Sequence, residues 1–129
     1  MSIVVGYVPT PEGNAALDCA IGEARKNDTL LVVINSSKGD ALVDNRYAGE
    51  PEMNGIDQRL DTEGVRHVIL HPVRGHDATT EVLDAAGEHE AELIVIGLRR
   101  RSPVGKLFLG STAQRILLEA DCPVLAVKA

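Results

Sequence analysis

Five short aliphatic runs alternate with stretches of helical periodicity along the chain, and this order constrains the fold more than any other feature of the sequence. Ser2 to Val8, Thr29 to Asn35, Arg66 to His71, Leu93 to Ile96 and Val124 to Val127 each read as a strand. Unbroken apolar runs such as Leu93 to Ile96 mark strands covered on both faces. Between them the period becomes helical. Thr10, Pro11 and Glu12 form a helix start, with Thr10 as N-cap and Pro11 at the first helical position. Leu17, Ala20, Ile21 and Ala24 then recur at i, i+3, i+4 and i+7. A weaker helix carries Met53, Ile56 and Leu60 and ends near Gly64; a third carries Thr79, Val82, Leu83 and Ala86, and a fourth Ala113, Ile116, Leu117 and Ala120. Such βαβ alternation predicts one doubly wound α/β domain over residues 1–129, with a parallel sheet, helices on both faces and right-handed crossovers.

Composition narrows the function classes. With 44% apolar and 25% charged residues the chain reads as an ordinary soluble globule, and its formal charge of -6 argues against non-specific nucleic-acid binding. No apolar run approaches the roughly 18 residues of a spanning helix, and the N-terminus enters a strand without a signal peptide's basic and apolar regions. The expectation is a cytoplasmic protein with neither membrane nor nucleic acid as partner. Cys19 and Cys122 lack metal or redox spacing and read as reduced, small core or near-core residues.

Ligands of open parallel sheets bind beyond the carboxyl ends of the strands, where the strand order reverses. If the first strand is central, the loop after Val8 meets the loop after Ile96 there. The second of these loops lies in Val95 to Thr112, which joins a buried-strand signature to the basic run Arg99 to Arg101 and then a helix start at Gly110, Ser111 and Thr112. Gly97 reads as the end of the strand. Free backbone N–H groups and hydroxyls at such a helix start meet phosphates readily, although Ser and Thr there also serve as plain N-caps. Two standard phosphate motifs are excluded. Gly105 and Lys106 lack the rest of a Walker A loop, since Arg100 replaces its first glycine and Leu107 its hydroxyl, and the turn GYVPTPEG holds no GxGxxG.

The same residues resemble the universal stress protein family. Its hallmark is a glycine, two residues, a second glycine, nine residues and then Gly-Ser or Gly-Thr after the fourth strand. Gly97 matches the first glycine, Gly110 and Ser111 the closing pair, LFLGSTAQRIL the opening of the family's last helix and CPVLAV its last strand. The resemblance runs through the whole chain. It implies a five-stranded Rossmann-like sheet of order 3-2-1-4-5, of the adenine nucleotide alpha hydrolase-like kind, and a homodimer along Val124 to Val127. It also implies a stress-response protein that binds rather than catalyses, with ATP or AMP, or another phosphorylated small molecule, as ligand and Mg accompanying ATP. By register the site comprises Thr10, Val33, Gly97, Arg100, Arg101, Gly110, Ser111 and Thr112, with Val33 offering backbone near the base and Gly110, Ser111 and Thr112 holding phosphates.

Three positions depart from the family pattern. Val8 stands where nucleotide-binding members carry an aspartate for the adenine, Arg100 stands in place of the second glycine, and Asp77 replaces a proline opening the third helix. Arginines between Gly97 and Gly110 could replace the adenine contact, since charge-assisted bonds contribute roughly 1.5–3 kcal/mol each. The alternatives are a homodimeric interaction module without nucleotide and a slow ATP hydrolase needing a divalent metal. His67 and His71 share one face of the third strand, with His76 and His89 elsewhere, but no Cys or carboxylate cluster accompanies them in the sequence, and no metal site is expected. No nucleophile and base pair can be assembled, so no catalytic residue is assigned. Ser36 to Glu50 exceeds ordinary loop lengths and contains Tyr47, a ring able to cover an adenine.

Overall fold

The computed structural model describes residues 1–36, 50–71, 77–98 and 110–129. Its elements, in chain order, are β1 (Ser2–Tyr7), α1 (Pro11–Asn27), β2 (Leu30–Asn35), α2 (Glu50–Thr62), β3 (His67–Leu70), α3 (Ala78–Glu88), β4 (Ala91–Leu98), α4 (Ser111–Glu119) and β5 (Val124–Lys128). All neighbouring strands run parallel in one five-stranded sheet of order β3-β2-β1-β4-β5. This is the expected α/β architecture and strand order.

Side chains alternate across the sheet and so build two cores. On one face Ile3, Val5, Leu31, Val33 and Val95 meet Leu17, Ala20 and Ile21 of α1 and Met53, Ile56 and Leu60 of α2. On the other, Val4, Val32, Ile34, Ile94 and Ile96 meet Val82 and Ala85 of α3 and Ile116 of α4. Cys19 packs against the first core and Cys122 against the second, so the two free thiols lie on opposite faces of the sheet. Burial, followed by the charge of Glu23 for Cys19 and Asp121 for Cys122, pushes both thiols up, away from the reactive thiolate.

Local chemistry sets the helix ends. Thr10 caps α1, its hydroxyl accepting from the Gly13 N–H at 3.1 Å, with Pro11 following as expected. α2 closes in a Schellman pattern: Gly64 has φ 71, its N–H donates to the Asp61 carbonyl, and the Val65 N–H donates to the Leu60 carbonyl at 2.9 Å. Ser2, fully buried at the start of β1, donates its hydroxyl to the His89 carbonyl at 2.8 Å and so ties β1 to the turn before β4.

Two expectations need correction. Gly97 does not end the fourth strand, because β4 continues through it to Leu98, with Gly97 opposite Val127 and Leu98 opposite Lys128. Leu117 does not join the inner face of α4: it is 42% exposed, and Ile116 is the fully buried residue of that helix.

Candidate functional site

Parallel pairing brings β1 and β4 together only as far as Val5 opposite Val95. Beyond that point the two strands follow different partners. Gly6 and Tyr7 continue beside Ile34 and Asn35 of β2, whereas Ile96, Gly97 and Leu98 continue beside Ala126, Val127 and Lys128 of β5. The sheet therefore opens a crevice at its carboxyl edge, between the last residues of β1 and β4, where the strand order reverses.

The wall on the β1 side is tightly tied. The Tyr7 carbonyl accepts from the Ser36 N–H at 2.8 Å and from its hydroxyl at 3.2 Å, while the Tyr7 hydroxyl donates to Asn14 Oδ1 at 3.1 Å. Burial, then the charge of Glu52, pushes the Tyr7 phenol up, so it remains a donor. On the β4 side, Gly97 lies against the first turn of α1. A Cβ at Gly97 would stand 2.7 Å from the Glu12 carbonyl carbon and also collide with its oxygen. The last residues of β4 thus meet the first turn of α1, and Gly97 is what permits the approach.

The helix openings at this edge differ. α1 is capped by Thr10 and α3 by Asp77, whose carboxylate accepts from the Thr79 N–H at 3.2 Å. α4 has Gly110 at its cap position, with φ -67 and ψ 167, and no side-chain cap bond. Among the described residues, its first N–H groups therefore lack the side-chain acceptor that serves α1 and α3. Ser111 is exposed and Thr112 half-buried beside them, and among the described residues a Cβ at Gly110 would meet nothing within 4 Å. Uncapped N–H groups, two hydroxyls and open space at the positive end of a helix form a donor set suited to an anion.

Of the sequence-derived site residues, Thr10, Gly97, Gly110, Ser111 and Thr112 lie at the ends of β1 and β4 or the start of α4. Val33 is fully buried in β2 between Val5 and Ile69, two residues before the strand ends, so its side chain belongs to the α1 and α2 core. Arg100 and Arg101, with Arg99, Tyr47, Gly75 and His76, lie outside the described residues, as does all of the Ser36 to Glu50 segment except its two ends. Thr10 already spends its hydroxyl on capping α1.

Asp77, noted only as a departure from proline, has a double role. It caps α3 and pairs with Arg115 of α4 at 2.6 Å, tying the opening of α3 to the middle of α4, while Arg115 also reaches Glu119 at 2.7 Å. The Asp-x-Thr start was the readable signal for the cap; the arginine partner was not visible. A separate groove of about 400 Å³ between α3 and α4 is lined by Asp84, Glu90, Glu119 and Cys122 and reaches the amino ends of β4 and β5, away from the crevice.

The expectation that no carboxylates accompany the histidines is also corrected. Asp57 and Asp61 of α2 both reach His67 at the start of β3. The distance from His67 Nε2 to Asp57 Oδ1 is 2.6 Å, that of a hydrogen bond; donors each about 2.0–2.2 Å from one tetrahedral ion would stand more than about 3 Å apart. The group is a hydrogen-bonded cluster that becomes an ion pair when His67 is protonated.

The sequence profile of the Universal stress protein family matches residues 1–128. The chain belongs to this family. A universal stress protein of Mycolicibacterium smegmatis is 53% identical over 126 residues, covering 98% of this chain and 96% of its own length. Among solved structures, a universal stress protein from Archaeoglobus fulgidus superposes with a TM-score of 0.70 at 28% identity, covering 98% of this chain and 97% of its own. A universal stress protein from the same organism in complex with dAMP gives a TM-score of 0.65 at 24% identity, covering 98% and 96%. The last of these likenesses concerns the fold. Among the described residues no helix is long and apolar enough to cross a membrane.

Proposed function

We propose that this chain binds an adenine nucleotide, ATP or AMP, or another phosphorylated small molecule in the crevice between the ends of β1 and β4, and acts through that binding rather than by catalysis. The observation that carries the reading is that α4 opens without a side-chain cap bond at the edge where β1 and β4 part. Gly110, Ser111 and Thr112 would hold phosphate oxygens through backbone N–H groups and hydroxyls, with Mg shared when the ligand is ATP. Arg100 and Arg101 would add charge. Gly97, Thr10 and the Val33 backbone would border the sugar and base. That a family member of this fold was solved with dAMP supports the choice of an adenine nucleotide over other phosphates.

The exposed edge of β5 fits a homodimer. Leu125 on that strand is 36% exposed and Leu118 on α4 is 85% exposed, an arrangement a second copy would cover. Leu125→Glu is expected to shift a dimer to monomer in light scattering with the fold retained; an unchanged mass would remove β5 from the interface. The intended setting is the cytoplasm. A second reading, an interaction module with an empty crevice, is favoured by Val8, which carries no acceptor for adenine, and by the prior engagement of the Thr10 hydroxyl.

A thermal melt with ATP and magnesium, repeated with AMP, separates the readings. At about 1 mM ligand and a dissociation constant of about 10 μM, the native state gains roughly 2.7 kcal/mol, several degrees in a domain of this size. Gly110→Val is expected to remove the shift. Because φ at Gly110 is one any residue adopts and its Cβ position meets none of the described residues, the ligand-free protein should lose no more than about 1 kcal/mol, the worth of a cap. No shift with either nucleotide, or a shift that survives Gly110→Val, would reject the phosphate cradle.

A further inference from the structure

His67 stands where α2 returns to the sheet. The Schellman turn at Gly64 sends the chain through Val65 into β3, the edge strand, and the His67 ring folds back beneath α2 with its side chain only 8% exposed. Both ring nitrogens face acceptors. Nδ1 lies 2.8 Å from the Val65 carbonyl oxygen, and Nε2 lies 2.6 Å from Asp57 Oδ1, with Asp61 Oδ1 at 3.9 Å. Neither acceptor can donate while the aspartate is ionised. A neutral imidazole carries one N–H and satisfies one of these contacts, whereas an imidazolium donates to both.

We infer that α2 is latched to the edge of the sheet by a proton: the His67 imidazolium holds Asp57 and Asp61 of α2 to the start of β3, and loss of that proton as pH rises loosens the helix. Asp57 and Asp61 sit one helical turn apart on the same face of α2, so both carboxylates bear on one ring. The other charged groups nearby have their own partners. Arg59 of α2 is taken up by Asp18 of α1 at 2.9 Å and by Glu63 at 2.8 Å, and Arg66 donates to the Asp28 carbonyl at 3.1 Å. β2 contributes only the apolar Leu31 opposite His67. What the latch secures is the docking of Met53, Ile56 and Leu60, the residues through which α2 covers its side of the core.

The direction of the pH dependence follows from the surroundings of the ring. Burial acts to lower the His67 pKa, but the Val65 carbonyl, the Asp57 hydrogen bond and the charges of Asp57 and Asp61 outweigh it, leaving the value raised above the ordinary 6.5. A raised folded value means the stabilisation is complete below the unfolded pKa near 6.5 and is lost as pH climbs through the folded value. Protection of α2 should fall by about tenfold for each pH unit that separates the two values.

The test is an NMR titration of the histidine Cε1–H signals in the full chain, with His67 assigned through His67→Gln, paired with amide hydrogen exchange of α2 corrected for intrinsic pH dependence. The expected result is a His67 midpoint above 6.5 and α2 amides that lose protection across that same midpoint. Asp57→Asn, an exposed change that keeps size and can donate to a neutral ring, should lower the midpoint and flatten the protection profile, and it serves if His67→Gln does not fold. A midpoint at or below the ordinary value, or α2 protection independent of pH, would overturn the latch. So would a His67 signal displaced by stoichiometric zinc at constant pH, which would make the cluster a cation site.

Discussion

Alanine at Gly13 lowers the stability of this domain, whereas alanine at Gly22, on the same helix, raises it. Inside a helix, replacing glycine with alanine ordinarily gains about 0.5–1 kcal/mol by reducing the freedom of the unfolded chain. Gly22 of α1 is exposed, and beyond its own helix backbone and chain neighbours none of the described residues comes within 4 Å of a Cβ placed there, so it should follow that rule. Gly13 should not. A Cβ there would stand 2.8 Å from the Val8 carbonyl carbon and 2.9 Å from Val8 Cγ2, and would overlap the carbonyl oxygen. That oxygen also accepts from the Thr10 N–H at 2.8 Å, and Thr10 in turn caps α1 through the Gly13 N–H. The turn cannot step aside without loosening the cap. Overpacking of this kind costs about 1–3 kcal/mol, and a lost cap about 1 kcal/mol more. Thermal melts of the two variants against the parent should therefore move in opposite directions, with Gly13→Ala melting several degrees lower. Parallel changes would mean that the β1 to α1 turn is not tightly seated, and with it the wall of the crevice.

Gly13 shows what the sequence conceals. The order of strands and helices, the Thr10 and Pro11 helix start and the inward faces of α1 and α2 are legible because they depend on local period and capping chemistry. Gly13 reads there as one more residue in the first turn, since nothing local says that the Val8 carbonyl lies above it. Leu117 was misplaced for a related reason: i, i+4 spacing gives a face but not its width, and α4 buries only Ile116 fully. The His67 cluster was half visible. Two aspartates one turn apart on a helix could have been paired with a histidine just beyond the Gly64 stop, because the Schellman turn brings that residue back beneath the helix.

For the site, the sequence supplied residue types and the family spacing, and the fold supplied the point at which β1 and β4 part. That β1 and β4 part after Val5 and Val95 depends on partner choice across the sheet, which no single strand encodes. That α4 opens without a side-chain cap while α1 and α3 are capped is, by contrast, nearly legible, since Thr10, Asp77 and Gly110 are the residues concerned.

The first glycine of the family spacing is where packing and ligand make opposite predictions. Read for function alone, Gly97 lets a nucleotide approach the backbone, and Gly97→Val should leave the ligand-free protein as stable as before, or more so, because glycine inside a strand is unfavourable. The structure places a main chain where that side chain would go. A Cβ at Gly97 would lie 2.7 Å from the Glu12 carbonyl carbon and 3.1 Å from Glu12 Cβ, and Glu12 adjoins Gly13, itself held against Val8. Gly97→Val is therefore expected to lose about 1–3 kcal/mol with no nucleotide present, and to cost more than Gly110→Val, whose Cβ meets none of the described residues. Because Gly97 and Gly13 bear on the same turn of α1, combining Gly97→Ala with Gly13→Ala should lose measurably less than the two single losses added together, since α1 displaced by one methyl has already yielded to the other. If the ligand-free melts of Gly97→Val and the parent coincide while the nucleotide response disappears, the glycine serves the ligand alone. If the ligand-free protein is weakened as expected, that glycine is required wherever α1 starts this close to β4, nucleotide or none, and the occupancy of the crevice must be judged from Gly110, Ser111 and Thr112 instead.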